Sequence, residues 1–196
     1  MSIGSTHELR TALDRALAGG AAAGRWRLAP DRSILWFRVR SRWGFKTVHG
    51  SFRSATGAGE LTPDGLVRAD LAIQAGSVHT GNATWDARLR SAAFFDTERH
   101  PDLIVAVTAA DRTGHGRLLL TGSLTVAETT RPVTLTAEVI MIDDVSVRLL
   151  AQFEISRADL GLGWNRFGLI GDKVRAHADV YFTRSDDAEA APDPAS

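Results

Sequence analysis

The sequence predicts a mostly β fold: an eight-stranded antiparallel β-barrel with an N-terminal amphipathic helix and a short helix between strands 3 and 4. Three observations predict it. Apolar residues recur every third or fourth position near the N-terminus, they alternate with polar residues over most of the chain from residue 33 onward, and turn-forming residues separate the alternating stretches. The 196 residues are 44% hydrophobic and 23% charged, which is ordinary for one globular domain.

The first predicted element is a helix over residues 5–18. Ser5 and Glu8 have the spacing of a capping box, and two glycines at positions 19 and 20 end the helix. Its apolar stripe consists of Leu9, Ala12, Leu13, Ala16 and Leu17. Because the polar face mixes both charge signs, we expect the stripe to pack against the body of this protein or a partner chain, rather than a membrane.

Strands follow, each with one apolar and one polar face. Six stretches alternate clearly, at residues 35–40, 68–75, 103–107, 133–139, 147–155 and 173–182. Two further strands, at about 45–56 with a bulge at Gly50 and at about 117–125, bring the number to eight. Turn residues at 62–65, 112–116 and 143–144 predict antiparallel hairpins, and residues 83–92 form the short helix.

These elements predict three segments of the chain. Residues 1–24 are the N-terminal helix and its linker, residues 25–184 are the barrel domain, and residues 185–196 are a disordered acidic tail. A closed barrel removes the exposed edges of an eight-stranded sheet, and its interior is either filled by side chains or holds one small ligand. Several predicted inward positions are small, which favours a cavity over a dry core: Ala69, Ala75, Ala137, Ala151, Ala176 and Ala178.

Composition argues against several classes of function. Positive and negative charges balance at 23 each, so no long-range field attracts nucleic acid or an anionic membrane. The chain has no cysteine, and its six histidines lack metal-ligand spacing, so we expect no metal site. No apolar run reaches the length of a membrane span, and charged residues interrupt the N-terminus, so we expect a cytoplasmic protein without stable membrane insertion. The uncovered stripe makes a homodimer possible.

Four ordered groups of residues carry a family resemblance. They are Trp26–Ser33, then Ser77–Gly81 with Asp86–Ser91, Phe94–Asp96 and His100–Pro101, then Gly122–Thr125 with Thr130–Val133, and last Arg157–Leu162 with Gly171–Val174. Together they resemble the YceI-like polyisoprenoid-binding family. The resemblance implies a lipocalin-like barrel that binds isoprenoids or other long-chain lipids in its lumen. Trp85, Arg88, Ala93 and Glu128 depart from the family pattern in connecting segments, which bears on the ligand's head group more than on the fold.

We therefore predict that the protein is not an enzyme and binds a long-chain apolar lipid, a polyisoprenoid or an isoprenoid quinone or its precursor, as carrier or store. Burying one methylene is worth about 0.8 kcal/mol, and a neutral hydrogen bond nets about 1 kcal/mol, so affinity should follow chain length. No cofactor is required. The predicted lumen residues are Leu35, Phe37, Val39, Leu71, Ile73, Phe94, Phe95, Val105, Val107, Val133, Leu135, Phe153 and Ile155, with Trp164 and Phe167 at a possible mouth.

The densest cluster of ionisable residues has two interpretations. Asp86 and Arg90 have the i, i+4 spacing of a helical ion pair, so a structural network in which Arg90 pairs with Asp86 or Asp96 is the first. The second is an enzyme that uses the barrel as a hydrophobic chamber, with Asp86 or Asp96 as base and a raised carboxyl pKa. A third alternative for the whole protein is a stress-response interaction module with a filled barrel.

Overall fold

The computed structural model of the chain describes residues 22–41, 47–64, 66–114, 116–162 and 170–185. Its strands are β1 (Gly24–Leu28), β2 (Ile34–Ser41), β3 (Thr47–Phe52), β4 (Ala55–Leu61), β5 (Val67–Gln74), β6 (Val78–His79), β7 (Asp102–Gly114), β8 (Arg117–Val126), β9 (Thr129–Asp143), β10 (Ser146–Ser156) and β11 (Ile170–Arg184). One α-helix of the described residues, α1, spans Ala83–Arg90. The predicted helix at 5–18, Trp164, Phe167 and the tail beyond residue 185 lie outside the described residues.

The eleven strands form a closed barrel of eight, because three strands are each broken in two. β1 and β2 are the two halves of one barrel strand, and both pair with β11. On their other side, β1 pairs with β4 and β2 pairs with β3. β4 then pairs with β5, and β3 pairs with β6. A single turn of 3₁₀-helix at Pro30–Arg32 separates β1 from β2, and another at Ala75–Ser77 separates β5 from β6. Every pairing is antiparallel, and β11 returns to β1, which confirms the predicted eight-stranded antiparallel barrel.

The predicted bulge at Gly50 is wrong, and the strand breaks three residues later. The backbone N–H groups of Arg53 and Ser54 donate to Ser77 Oγ at 3.1 and 3.2 Å instead of continuing the ladder. Gly50 itself pairs in regular register with Phe37. A Cβ at Gly50 would overlap the ring of Phe37, so this glycine lets an inward aromatic side chain lie flat against the neighbouring strand.

The two ends of the barrel differ. One end, the helix end, carries α1, residues 91–101 and residues 157–162. The other, the turn end, carries residues 22–23 and the short connections between β4 and β5, β7 and β8, and β9 and β10. Among the described residues, buried Phe94, Phe95, Leu160 and Leu162 lie at the helix end, whereas hairpin turns and residues 22–23 lie at the turn end.

Helix α1 begins where the sequence predicts a helix and ends two residues earlier than predicted. The side chain of Asn82 accepts hydrogen bonds from the N–H groups of Thr84 (3.0 Å) and Trp85 (3.1 Å), which satisfies two donors that the first helical turn leaves unpaired. Trp85 and Leu89 lie one turn apart and both face the barrel interior. Among the described residues, no helix has both the length and the apolar character to cross a bilayer.

Candidate functional site: an apolar barrel lumen

The interior of the barrel contains a cavity of about 370 Å³. Side chains from all eight barrel strands and from α1 line it, and the lining is almost entirely apolar. This volume lies near the lower end of the range of small-molecule sites in proteins. A water molecule gains little in such a space because it finds no polar partners there. The lumen therefore suits an apolar guest.

Most of the residues predicted from the alternation lie on this cavity. Of the thirteen predicted lumen residues, twelve line it: Leu35, Phe37, Val39, Leu71, Ile73, Phe94, Phe95, Val105, Val107, Leu135, Phe153 and Ile155. Val133 does not line it, but packs against the core and borders a separate surface pocket with Pro132 and Thr134. The contact of these residues with a ligand stays a prediction.

A row of small side chains leaves part of this volume open. Ala151 on β10 lies opposite Ala137 on β9 and opposite Ala178 on β11, so three alanines stand side by side across three strands. All three line the cavity, as do Ala69 and Ala176, whereas Ala75 is fully buried outside it. Leucine or phenylalanine side chains in this row would extend several ångströms further inward, so the alanine row keeps one wall of the lumen flat.

Large apolar side chains close the helix end. Phe94, Phe95, Leu160 and Leu162 are 5–8% exposed, and the ring of Phe95 packs against Phe52 with centroids 6.0 Å apart. Phe52 in turn contacts Phe37 at 5.6 Å. Tilted aromatic pairs at such distances are favourable beyond the apolar area they bury. This packing gives the lumen a firm floor at the helix end.

The polar cluster beside α1 is structural in its contacts, but its pairing differs from the predicted ion pairs. Asp86 accepts hydrogen bonds from the backbone N–H of Thr80 (2.7 Å) and from its hydroxyl (2.6 Å). Arg90 donates to the carbonyl oxygens of Gly76 (2.9 Å) and Val78 (2.9 Å) rather than to a carboxylate. Asp96 lies 3.9 Å from Arg99. The i, i+4 spacing was misleading, because nearby loop groups offer both side chains closer partners.

The electrostatics of Asp86 fit a structural carboxylate that holds the neighbouring loop better than they fit a general base. The hydroxyl of Thr80 lowers the pKa of the Asp86 carboxyl by donating to its charged form, and this outweighs the opposing effect of burial. The Thr80 backbone N–H and His79, whose Nδ1 lies 3.3 Å away, lower it further. Asp86 is only 6% exposed and is absent from the cavity lining. A carboxylate held in its charged form outside the lumen is poorly placed to take a proton from a guest.

Arg157 is a buried charged residue among the lining residues that the sequence analysis did not predict. Among the described residues, three polar or charged side chains are buried, namely Asp86, Ser146 and Arg157, and of these Arg157 lines the cavity. It continues the inward face of β10 two positions beyond Ile155, and its Nη1 donates to the carbonyl of Leu162. The alternation of β10 carried the signal, but an inward arginine was not expected. Its positive charge also contributes to the lowered pKa of the Asp172 carboxyl.

No cluster of metal-ligand residues was found in the part of the chain that the structure describes: no three His, Asp or Glu side chains converge there. The site therefore consists of apolar walls with aromatic and leucine side chains at the helix end, where the buried Arg157 is among the lining residues.

Comparison with known proteins identifies the family. The model of the YceI-like domain matches residues 26–182, which is most of the chain. The chain belongs to the YceI-like family. This confirms the resemblance seen in the sequence. Among curated relatives, a UPF0312 protein of Pectobacterium carotovorum is 31% identical over 130 residues, 64% of this chain and 66% of the relative. Protein YceI of Escherichia coli O157:H7 is 30% identical over 128 residues, 63% of this chain and 65% of the relative.

The chain thus spans slightly less than two thirds of the length of these two YceI-like relatives. Solved structures share the fold at lower identity. Burkholderia cenocepacia BcnA superposes with a TM-score of 0.71 at 16% identity, over 79% of this chain and 98% of that one. A polyisoprenoid binding domain from Saccharophagus degradans, implicated in plant cell wall breakdown, superposes with a TM-score of 0.69 at 18% identity, over 82% and 98%. These similarities support the barrel architecture.

Proposed function

We propose that this YceI-like barrel binds a long-chain apolar lipid, a polyisoprenoid or an isoprenoid quinone or its precursor, and carries or stores it without catalysing a reaction. The observation that supports the proposal best is the lumen of about 370 Å³ with almost entirely apolar walls. The polyisoprenoid binding of the Saccharophagus degradans domain, which has the same fold, agrees with this choice of ligand class.

The volume sets the length of chain that the lumen takes. If each carbon group occupies about the 30 Å³ of a water molecule in the liquid, the cavity of about 370 Å³ holds on the order of 12 carbons. That is between two and three isoprene units. Burial at about 0.8 kcal/mol per carbon then gives close to 10 kcal/mol of gross transfer free energy, before the cost of ordering the guest. Apolar burial alone is enough for useful affinity.

Arg157, a buried charged residue among those that line the lumen, supports one orientation of the guest over the other. A ligand whose polar oxygen points to the helix end would place that oxygen near the buried positive charge, with its hydrocarbon chain along the alanine row. The reverse orientation would put hydrocarbon against Arg157. We therefore propose that quinone carbonyls, hydroxyls or phosphates of the guest face the helix end.

The enzyme hypothesis has less support. It required a carboxyl group at the cavity wall with a raised pKa, and Asp86 lies off the wall with a lowered pKa. Asp96 is likewise absent from the lining residues. A base that is already charged and hydrogen-bonded has little driving force to accept a proton.

Native mass spectrometry of the purified chain tests the proposal. We expect adducts whose masses match an apolar passenger, and we expect organic extraction to remove them. Delipidated protein should then take up farnesol in a one-to-one complex. Protein that carries no passenger and binds neither farnesol nor a short-chain ubiquinone would contradict the proposed function.

A further inference from the structure

The wall of the barrel is not paired along its whole length. From the turn end, β9 and β10 pair as far as Ala137 opposite Ala151, and their ladder ends there. Among the described residues, 129–136 of β9 pair with β8 alone, and 152–156 of β10 pair with β11 alone. The half of the wall nearer the helix end therefore has a break between β9 and β10, bordered by two unpaired strand edges.

A proline lies on one edge of this break. Proline has no backbone N–H to give to a ladder, and within sheets it is found mainly at edges and bulges. Pro132 lies in the unpaired part of β9, opposite Ser123 of β8. Its position thus fits a strand edge, and the amino-acid sequence itself limits pairing at this point.

A surface pocket lies at the break. Its lining comes from residues 131–134 of β9, residues 153–156 of β10 and Asp159 in the segment after β10, and we call it the wall pocket. Phe153 and Ile155 belong both to its lining and to that of the lumen. The wall pocket and the lumen therefore share two apolar side chains at a place where no strand ladder runs between β9 and β10.

The wall pocket offers polar partners that the apolar walls of the lumen lack. Thr134 on β9 and Ser156 on β10 contribute hydroxyl groups, which both donate and accept hydrogen bonds. Arg131 contributes a guanidinium, whose Nε donates to the carbonyl of Asp159 at 2.7 Å and ties the edge of β9 to the segment after β10. A neutral oxygen of a guest can find hydrogen-bond partners here whether it donates or accepts.

The charges of the wall pocket do not favour an anion. Its lining contains one cation, Arg131, and two carboxylates, those of Glu154 and Asp159. Lys173 and Arg175 lie nearby, but both are bound to Glu154, at 2.8 and 3.1 Å. A phosphate would meet both carboxylates as well as the cation, whereas a hydroxyl or carbonyl oxygen needs only hydrogen bonds.

We propose that the wall pocket binds the polar end of the guest, a neutral hydroxyl or carbonyl oxygen, which reaches it between the unpaired edges of β9 and β10 while the hydrocarbon stays in the lumen. This inference rests on the proposed function, in which the oxygen faces the helix end. Phe94 and Phe95 make that end apolar, and an oxygen buried there without partners loses the hydrogen bonds that it made in water. Ser156 directly precedes Arg157, so the oxygen can stay close to Arg157 and still reach the wall pocket.

Photo-crosslinking tests the position of the polar end. Two farnesol analogues are bound to the full chain, one with a diazirine beside the hydroxyl group and one with a diazirine at the far end of the hydrocarbon. We expect mass spectrometry of proteolytic peptides to find the first label on residues 131–134 or on Asp159, which line the wall pocket and not the lumen. The second label should lie on lumen residues nearer the turn end, such as Leu118, Met141 or Val147. The reverse pattern would overturn the inference and leave the proposed function intact.

Two tryptophan variants test what the wall pocket contributes to affinity. Thr134→Trp fills it, and Thr136→Trp places the same ring two residues away on the same face of β9, outside the lining. We expect Thr134→Trp to weaken farnesol binding about fivefold, since the hydrogen bond of a neutral group is worth about that factor. Farnesane, the hydrocarbon without the hydroxyl group, should bind this variant within about twofold of the unchanged chain, and Thr136→Trp should leave both guests within the same range. Competition with a fluorescent probe measures these affinities.

Other results would overturn the inference in distinct ways. Equal weakening of farnesol and farnesane by Thr134→Trp would mean that the ring obstructs the lumen. Unchanged farnesol affinity would mean that the hydroxyl group lies elsewhere, and if Thr134→Trp also dissolves a dimer in size-exclusion chromatography, the strand edges pair between two copies of the chain. Farnesyl phosphate binding more than about tenfold tighter than farnesol would contradict a neutral polar end. If the unchanged chain binds none of these guests, the proposed function itself fails.

Discussion

Filling the lumen from within should abolish lipid binding without unfolding the protein. Ala151 lies at the centre of the alanine row, between Ala137 and Ala178. Ala151→Phe adds six carbons, which at about 30 Å³ each occupy roughly 180 Å³, about half of the 370 Å³ cavity. A guest that loses the burial of six carbons loses up to about 5 kcal/mol, or between three and four orders of magnitude in affinity.

Titration calorimetry with farnesol measures this loss, and a thermal unfolding midpoint shows whether the variant is folded. Gln152→Phe is the matched control, because it places the same ring on the exposed face of the same strand. We expect the control to bind farnesol as the unchanged protein does. If folded Ala151→Phe protein binds farnesol within threefold of the unchanged chain, the guest does not occupy the lumen and the reasoning fails.

Three further predictions follow from the same structure. The affinity for isoprenoid alcohols should rise from geraniol to farnesol and level off at geranylgeraniol, because the lumen holds on the order of 12 carbons. Competition with a fluorescent probe measures these affinities. An equally large gain in affinity from farnesol to geranylgeraniol would contradict the volume of the lumen as the limit on chain length. Asp86→Ala should lower the free energy of unfolding, measured by urea titration at pH 7, by about 2–3 kcal/mol. The exposed Asp70→Ala is the control. The pKa of Asp86 is lowered in the folded state, so its carboxylate contributes its full stabilisation above the unfolded-state pKa of about 4. This stabilisation is lost as the pH falls through the folded-state pKa. The free energies of unfolding of Asp86→Ala and Asp70→Ala should therefore become similar at low pH. Gly50→Ala should cost about 1–3 kcal/mol by forcing Phe37 aside, whereas Gly76→Ala, with no atom within 4 Å of the new Cβ, should be close to neutral.

The pattern of alternation was sufficient to predict which side of each strand faces inward. In a strand, successive side chains point to opposite faces, so the inward set follows from parity alone once the strand is recognised. Leu71 and Ile73 on β5, like Phe153 and Ile155 on β10, line the cavity for this reason. The same parity reaches Arg157, which the sequence analysis did not place in the lumen, and only the packed structure shows that this residue is buried and lines the cavity.

Local spacing was less informative where partners are distant in the chain. Asp86 and Arg90 have the spacing of a helical pair, yet each bonds to loop groups that the barrel brings close. The strand break at Arg53 and Ser54 depends on Ser77, more than twenty residues away. Sequence periodicity contains no information on such contacts, because they depend on which strands become neighbours and in what register.

The sequence by itself determined the strand faces, the barrel class and the family, because each is encoded in residue order over short windows. The tertiary structure decided the volume of the lumen, since that depends on Ala137, Ala151 and Ala178 falling into one row across three strands. It also decided that Phe94, Phe95, Leu160 and Leu162 pack together at the helix end. Both properties arise from the register of chain segments that are far apart in sequence, and register is set only when the sheet closes on itself.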